Sequence, residues 1–121
     1  MRAVETGASW NDVQVIALQH ALQLIPGQTL RVELSARGRV DGTRKLSARL
    51  VDPEGAVKAQ NDVILGRNTR VDLNLPDDAK PGVYTLVAVL YDPETLAPFP
   101  DSTGSFTTVL SQIEVVTDEA Q

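Results

Sequence analysis

The chain contains no cysteine, so it has no disulfide, no thiolate metal ligand and no thiol nucleophile. It has one histidine, His20. A Ser-His-Asp triad would need that residue as its base, and a zinc site would need further ligands. Set among Leu18, Gln19, Ala21 and Leu22, His20 reads as a structural or surface residue. Aromatics are scarce: Trp10, Tyr84, Tyr91, Phe99 and Phe106 are the whole set. No apolar run approaches the roughly 18 residues of a membrane-spanning helix, so direct membrane insertion is not expected. Met1 to Gly7 lack the apolar stretch of a secretory signal, which leaves a cytosolic protein or a piece of a longer one. Basic residues are outnumbered by acidic ones, 11 to 16, and a net charge of −5 argues against nucleic acid as a partner. The eight glycines are scattered singly, so no phosphate-binding loop is present. No cofactor or metal is expected.

What is present is a regular β pattern. The 121 residues fit one domain, and a hydrophobic content of 42% is enough for a core. Turn signals recur between the apolar runs: Pro26-Gly27, Gly38, Asp41-Gly42, Pro53-Glu54-Gly55, Gly66, Pro76, Pro81-Gly82, Pro93, Pro98, Pro100 and Gly104. Leu30, Val32, Leu34 and Ala36 alternate with Arg31, Glu33 and Ser35. Leu46, Ala48 and Leu50 alternate with Lys45, Ser47 and Arg49, and Val71, Leu73 and Leu75 with Arg70, Asp72 and Asn74. A period of two marks strands with one face inward. Residues 83–91 are apolar on both faces, as in a central strand. Val57 to Leu65 reads as an edge strand, and Phe106 to Val116 as the run that closes the sheet. Asp12 to Leu24 reads two ways. Val13, Ile16, Ala17, His20, Ala21 and Leu24 would line a helix, while Val13-Gln14-Val15 alternates like a strand, which the β character of the other runs favours. The expected fold is all-β: an approximately seven-stranded, immunoglobulin-like or fibronectin-like two-sheet sandwich over 11–117. A loose segment is expected over 1–10 and another over 118–121.

Three side-chain groups invite chemistry. Asp52, Glu54, Asp92 and Glu94 lie in two Asp-Pro-Glu turns. If the preceding strands are neighbours, both turns would meet at one end and could hold calcium, which takes six to eight oxygens. The stronger reading is turn chemistry, because Asp caps local N–H groups and Pro presets φ. Arg37, Arg39, Arg44 and Lys45 form a basic cluster interrupted by Asp41, read as a solvated turn. The third group is the outer face of the central strand. With Tyr84, Leu86, Ala88 and Leu90 inward, Val83, Thr85, Val87, Val89 and Tyr91 face away, and neighbouring strands add Val51 and Val109. Such a patch marks an interface, unless the stems of Lys45 and Arg49 lie across it. On that reading Val87→Glu breaks association and leaves folding intact.

One stretch is specific enough to compare with known families. Leu75-Pro76-Asp77-Asp78-Ala79-Lys80-Pro81-Gly82-Val83-Tyr84 has the form LPxDxxPGxY and leads to Val89-Leu90-Tyr91-Asp92-Pro93-Glu94-Thr95. It resembles the C-terminal Ig-like domains of bacterial membrane glycosyltransferase-type (mannosyltransferase-like) proteins, and more loosely macroglobulin and fibronectin-type sandwiches. Pro26-Gly27-Gln28-Thr29-Leu30 matches the family's PGxTL strand, and Leu50-Val51-Asp52-Pro53-Glu54-Gly55 its middle hairpin. The family's usual tryptophans are absent, and the loop before Arg70 is short. Pro81, Gly82 and Tyr84 are expected to form a tyrosine corner, the ring buried and the hydroxyl on nearby backbone. The resemblance implies an accessory or protein-interaction domain without catalysis, carried on the extracytoplasmic face of a bacterial membrane by a larger protein. Its partner would be another domain, another protein or a second copy. The alternative is a carbohydrate-binding module using Trp10, Tyr91 and Phe99 against a glycan.

Overall fold

Alternation along the chain becomes two sheets with a shared core. The computed structural model describes residues 6–10, 12–18 and 20–117. Nine strands form in chain order: β1 Thr6–Trp10, β2 Val13–Ala17, β3 Gln23–Leu24, β4 Thr29–Gly38, β5 Lys45–Val51, β6 Val57–Ile64, β7 Asn68–Asn74, β8 Gly82–Tyr91 and β9 Thr108–Val115. One sheet has the order β1-β2-β4-β7, the other β3-β9-β8-β5-β6. All neighbouring strands run antiparallel except β3, which pairs parallel with β9. The protein is therefore an all-β, two-sheet sandwich. Its nine strands exceed the seven expected because Thr6–Trp10 adds a strand and the 12–24 segment supplies two.

Burial follows the period of two. Leu30, Val32, Leu34 and Ala36 of β4 meet Leu46, Ala48 and Leu50 of β5 and Leu86, Ala88 and Leu90 of β8 in one core. Each buried Leu contributes about 1.5–3 kcal/mol relative to an exposed one, and the alternation keeps their polar neighbours wet. The 12–24 segment is not a helix. It buries Val13, Val15 and Ala17 on one face, and its pairing with β4 extends through a hydrogen bond from the Leu18 N–H to the Glu33 carbonyl (2.8 Å) before the chain leaves the first sheet. Leu24 joins the core from the second sheet. Strand pairing on β4 outweighs the helical spacing because it satisfies the backbone and the core together.

The loose segment expected over 1–10 holds a strand instead, for β1 pairs with β2 along its whole length, while residues 1–5 and the loose end expected over 118–121 lie outside the described residues. Trp10 is only 3% exposed and fills the core. β1 also lies against β9, and in the loop before β9 the Ser102 amide and hydroxyl donate to the Ser9 carbonyl (2.8 and 2.9 Å) and Asp101 forms a bridge with Trp10. At the opposite seam β6 lies against β7, and Asn61 Nδ2 donates to the Asp72 carbonyl (2.9 Å). One side of the sandwich thus has β1 against β9, with β3 outermost in the second sheet, and the other has the edge strands β6 and β7 against each other.

The expected closing strand begins later than Phe106 and sits between β3 and β8. It carries a bulge. Leu86 pairs with Ser111 but Val87 pairs with Val109, so Leu110 is the extra residue. The bulge turns Leu110 into the core and sends Val109 outward.

Candidate functional site

The corner before β8 is built from backbone constraints. Gly82 has φ +147°, and a Cβ there would stand 2.8 Å from Pro53 Cγ, so only glycine lets the β5–β6 turn pack this closely. Two residues on, the Tyr84 ring is buried and its hydroxyl donates to the Lys80 carbonyl (2.8 Å). Burial pushes this phenol's pKa up, and Asp52 adds to the shift. Pro81, Gly82 and Tyr84 thereby fix the start of the central strand.

From that start, β8 sets the outer face of the second sheet. Register brings Val83 beside Glu114, Thr85 between Gln112 and Val51, and Val87 between Val109 and Arg49. Val89 lies beside Ser47, and Tyr91 beside Lys45. The five outward residues differ in accessibility. Val83 is 52% exposed, Thr85 and Tyr91 are half-buried, and Val87 and Val89 are closed over at 6% and 9%. Glutamate at Val87 would therefore enter a covered position, and Val83 and Val109 (55% exposed) are the accessible points of the patch. With Val57 and Val51 they make an apolar area at the Val83 end of the face.

Toward Tyr91 the face becomes a polar network. Tyr91 donates its hydroxyl to Asp62 Oδ2 (2.6 Å), Gln60 Nε2 reaches Asp62 Oδ1 (3.4 Å), and Arg49 Nε donates to Ser47 Oγ (3.2 Å). Burial pushes the Asp62 carboxyl up, but the hydroxyls of Tyr91 and Ser47, the Gln60 amide and the Arg49 charge together hold it below the usual range. The hydrogen bond to Asp62 raises the Tyr91 phenol in turn. Lys45, Ser47 and Arg49 were legible as the polar side of a strand. Asp62, Gln60 and Glu114 were missed, since only the register shows which strands flank β8.

At the same end of the sheet a cleft of about 700 Å³ is lined by Arg39, Arg44, Lys45, Glu94, Phe99 and their neighbours. Its basic residues are largely paired. Arg44 donates to both Asp12 oxygens (2.8 and 2.6 Å) and stacks over the Phe99 ring, 4.6 Å from its centroid. The bond to Arg44 lowers Asp12, and the same bond raises Arg44. Arg39 pairs with Asp41 (3.2 Å). Asp41 is drawn down to about 2, first by the Thr43 hydroxyl and amide and then by Arg39.

The carboxylate quartet does not assemble. β5 and β8 are antiparallel neighbours, so the turn after Val51 and the turn after Tyr91 lie at opposite ends of the sheet. Asp52 Oδ1 accepts the amides of Glu54 and Ala56 (2.9 and 2.8 Å), and Asp92 Oδ1 accepts that of Glu94 (2.8 Å). Among the described residues no group of three or more acidic or histidine side chains is placed to hold a metal. His20 is half-buried, with Nδ1 2.8 Å from the Ala21 carbonyl oxygen.

The three aromatics considered for a glycan platform are also separated in role. Trp10 is buried, Phe99 carries Arg44, and Tyr91 is tied to Asp62. No protein-family model matches the chain, and no curated protein matches it.

Proposed function

We propose that this chain is a non-catalytic interaction domain of immunoglobulin type, and that its recognition surface is the outer face of the second sheet. The carrying observation is the composition of that face. A central strand offers Val83 and Thr85 over the closed Val87 and Val89, with Val109 exposed at its flank and Tyr91 and Arg49 set in a hydrogen-bonded frame. Aromatic and arginine side chains around an apolar centre are the composition enriched where proteins meet. The strand order supports the immunoglobulin reading, with a short strand beside β9 in parallel and a tyrosine corner before β8. The sequence resemblance supports a larger parent protein at the extracytoplasmic face of a bacterial membrane, where another domain or protein would meet this surface.

The test is photocrosslinking in source cells. A photoreactive residue at Val109 is expected to yield a covalent adduct with a protein. The same residue at Arg31, exposed on the first sheet, is expected to yield none. No adduct from positions 109 and 83, or equal yields from 31, would overturn the assignment.

A further inference from the structure

The outer face of the second sheet carries no excess of acid in a chain of net charge −5, and exposed Lys58 stands at the bulge of β6. At its register-paired outward positions Lys45 and Arg49 balance Asp62 and Glu114. Asp62 is held by Tyr91 and Gln60. Among the described residues neither Arg49 nor Glu114 forms an ion pair; Arg49 Nε meets Ser47 and Glu114 accepts only Gln23 Nε2 (3.2 Å).

The placement of these two charges is particular. Glu114 on β9 is level with Val83, and Arg49 on β5 is level with Val87. Thr85 lies midway between them. Strand spacing of about 4.8 Å and a rise of about 3.4 Å per residue put the two Cα atoms roughly 17 Å apart across Thr85. A two-fold axis in the plane of the face, through Thr85 and perpendicular to the Glu114–Arg49 line, lays Glu114 of each copy over Arg49 of the other. The same operation sets Val83 of each copy over Val51 of the other. The strands then cross at roughly 70°, nearer the orthogonal than the aligned mode of sheet packing.

We infer that the occupant of this face is a second copy of the chain, in an isologous face-to-face dimer closed by two Glu114–Arg49 pairs around Val51, Val83 and Thr85. This rests on the interaction reading above and names its partner. The contact is small against the roughly 800 Å² per partner of a standard interface, so the dimer is a weak one and forms in the micromolar to millimolar range. Its charged pairs sit at the rim, where salt screens them.

Isologous symmetry supplies a decisive test, because every contact occurs twice with the roles exchanged. Glu114→Arg alone places two like-charged pairs across the interface, and so does Arg49→Glu alone. An equimolar mixture of the two variants restores both attractions. Sedimentation equilibrium at low salt is expected to show dimers for the unaltered chain and at least tenfold weaker association for each variant. The mixture is expected to associate as strongly as the unaltered chain. Thermal melts of each variant check that the fold is kept. An unaltered chain that stays monomeric at millimolar concentration overturns the dimer. So does a dimer indifferent to both substitutions, or a mixture that fails to recover. If the dimer is absent but position 109 still captures a different protein in cells, self-pairing falls and the recognition face stands. If neither occurs, both fall.

Discussion

Aspartate organises the loops of this protein one residue at a time. Asp52 and Asp101 each open a five-residue loop, accept the amides two and four residues on, and place a glycine at positive φ in the fourth position. That form, Asp-x-x-Gly-x, is readable in the sequence because the side chain does locally what a partner strand would do elsewhere. The loop at Asp92 departs from it. One extra residue, Thr95, moves the left-handed position onto Leu96, which has φ +62° and is 71% exposed. Nothing in the Asp-Pro-Glu motif announces that, since loop length rather than residue type decides it. A non-glycine residue in this region costs about 1–2 kcal/mol, and glycine gives back about 0.5–1 kcal/mol in chain entropy. Leu96→Gly is therefore expected to stabilise by roughly 0.5–1 kcal/mol, seen as a rise of a few degrees in Tm. Leu96→Ala keeps the strain and is expected to give no gain.

At the scale of elements, strands whose own alternation is strong were legible and strands made by their neighbours were not. β4, β5, β7 and β8 follow from period two. β1 does not, because Thr6-Gly7-Ala8-Ser9-Trp10 carries only one large apolar side chain, and its strand exists through pairing with β2 and contact with β9. Neighbour relations were also hidden. The two Asp-Pro-Glu turns look alike in sequence, but antiparallel pairing sends them to opposite ends. The value of β1 lies in Trp10. Trp10→Ala is expected to cost about 3–5 kcal/mol, as for other buried aromatics, measured by urea denaturation. Trp10 Nε1 finds no hydrogen-bond partner among the described residues. Trp10→Phe removes that unpaired donor with part of the ring, so its cost is expected to stay below about 1.5 kcal/mol. Equal losses for the two variants would show that the indole N–H is satisfied in solution.

For the molecule as a whole, hydrogen-bonded and ion-paired carboxylates set the response to acid. Asp12, Asp41, Asp62 and Asp101 all have their pKa lowered in the folded state. Asp101 is held by the hydroxyls of Thr103 and Thr108 (both 2.6 Å). A lowered carboxyl contributes stability that is complete above its unfolded pKa, about 3.9, and is lost as pH falls through the folded value. Tm is thus expected to be flat near neutrality and to drop below about pH 4. Tyr84 and Tyr91 are raised, so their contribution is complete below about pH 10 and is lost as pH climbs beyond it. Calorimetry across pH checks both limbs, and an acid limb unchanged in Asp101→Asn would remove that residue from the account. The faces of this sandwich could be foreseen from alternation, whereas the facing of β1 with β9 and of β6 with β7 could not. That facing governs growth. A sheet lengthens by adding strands at a free margin, and at one side the outermost strands β6 and β7 lie against each other and share the Asn61–Asp72 hydrogen bond. The second sheet ends on its other side in β3, only two residues long, and so short an edge gives an incoming strand little to pair with.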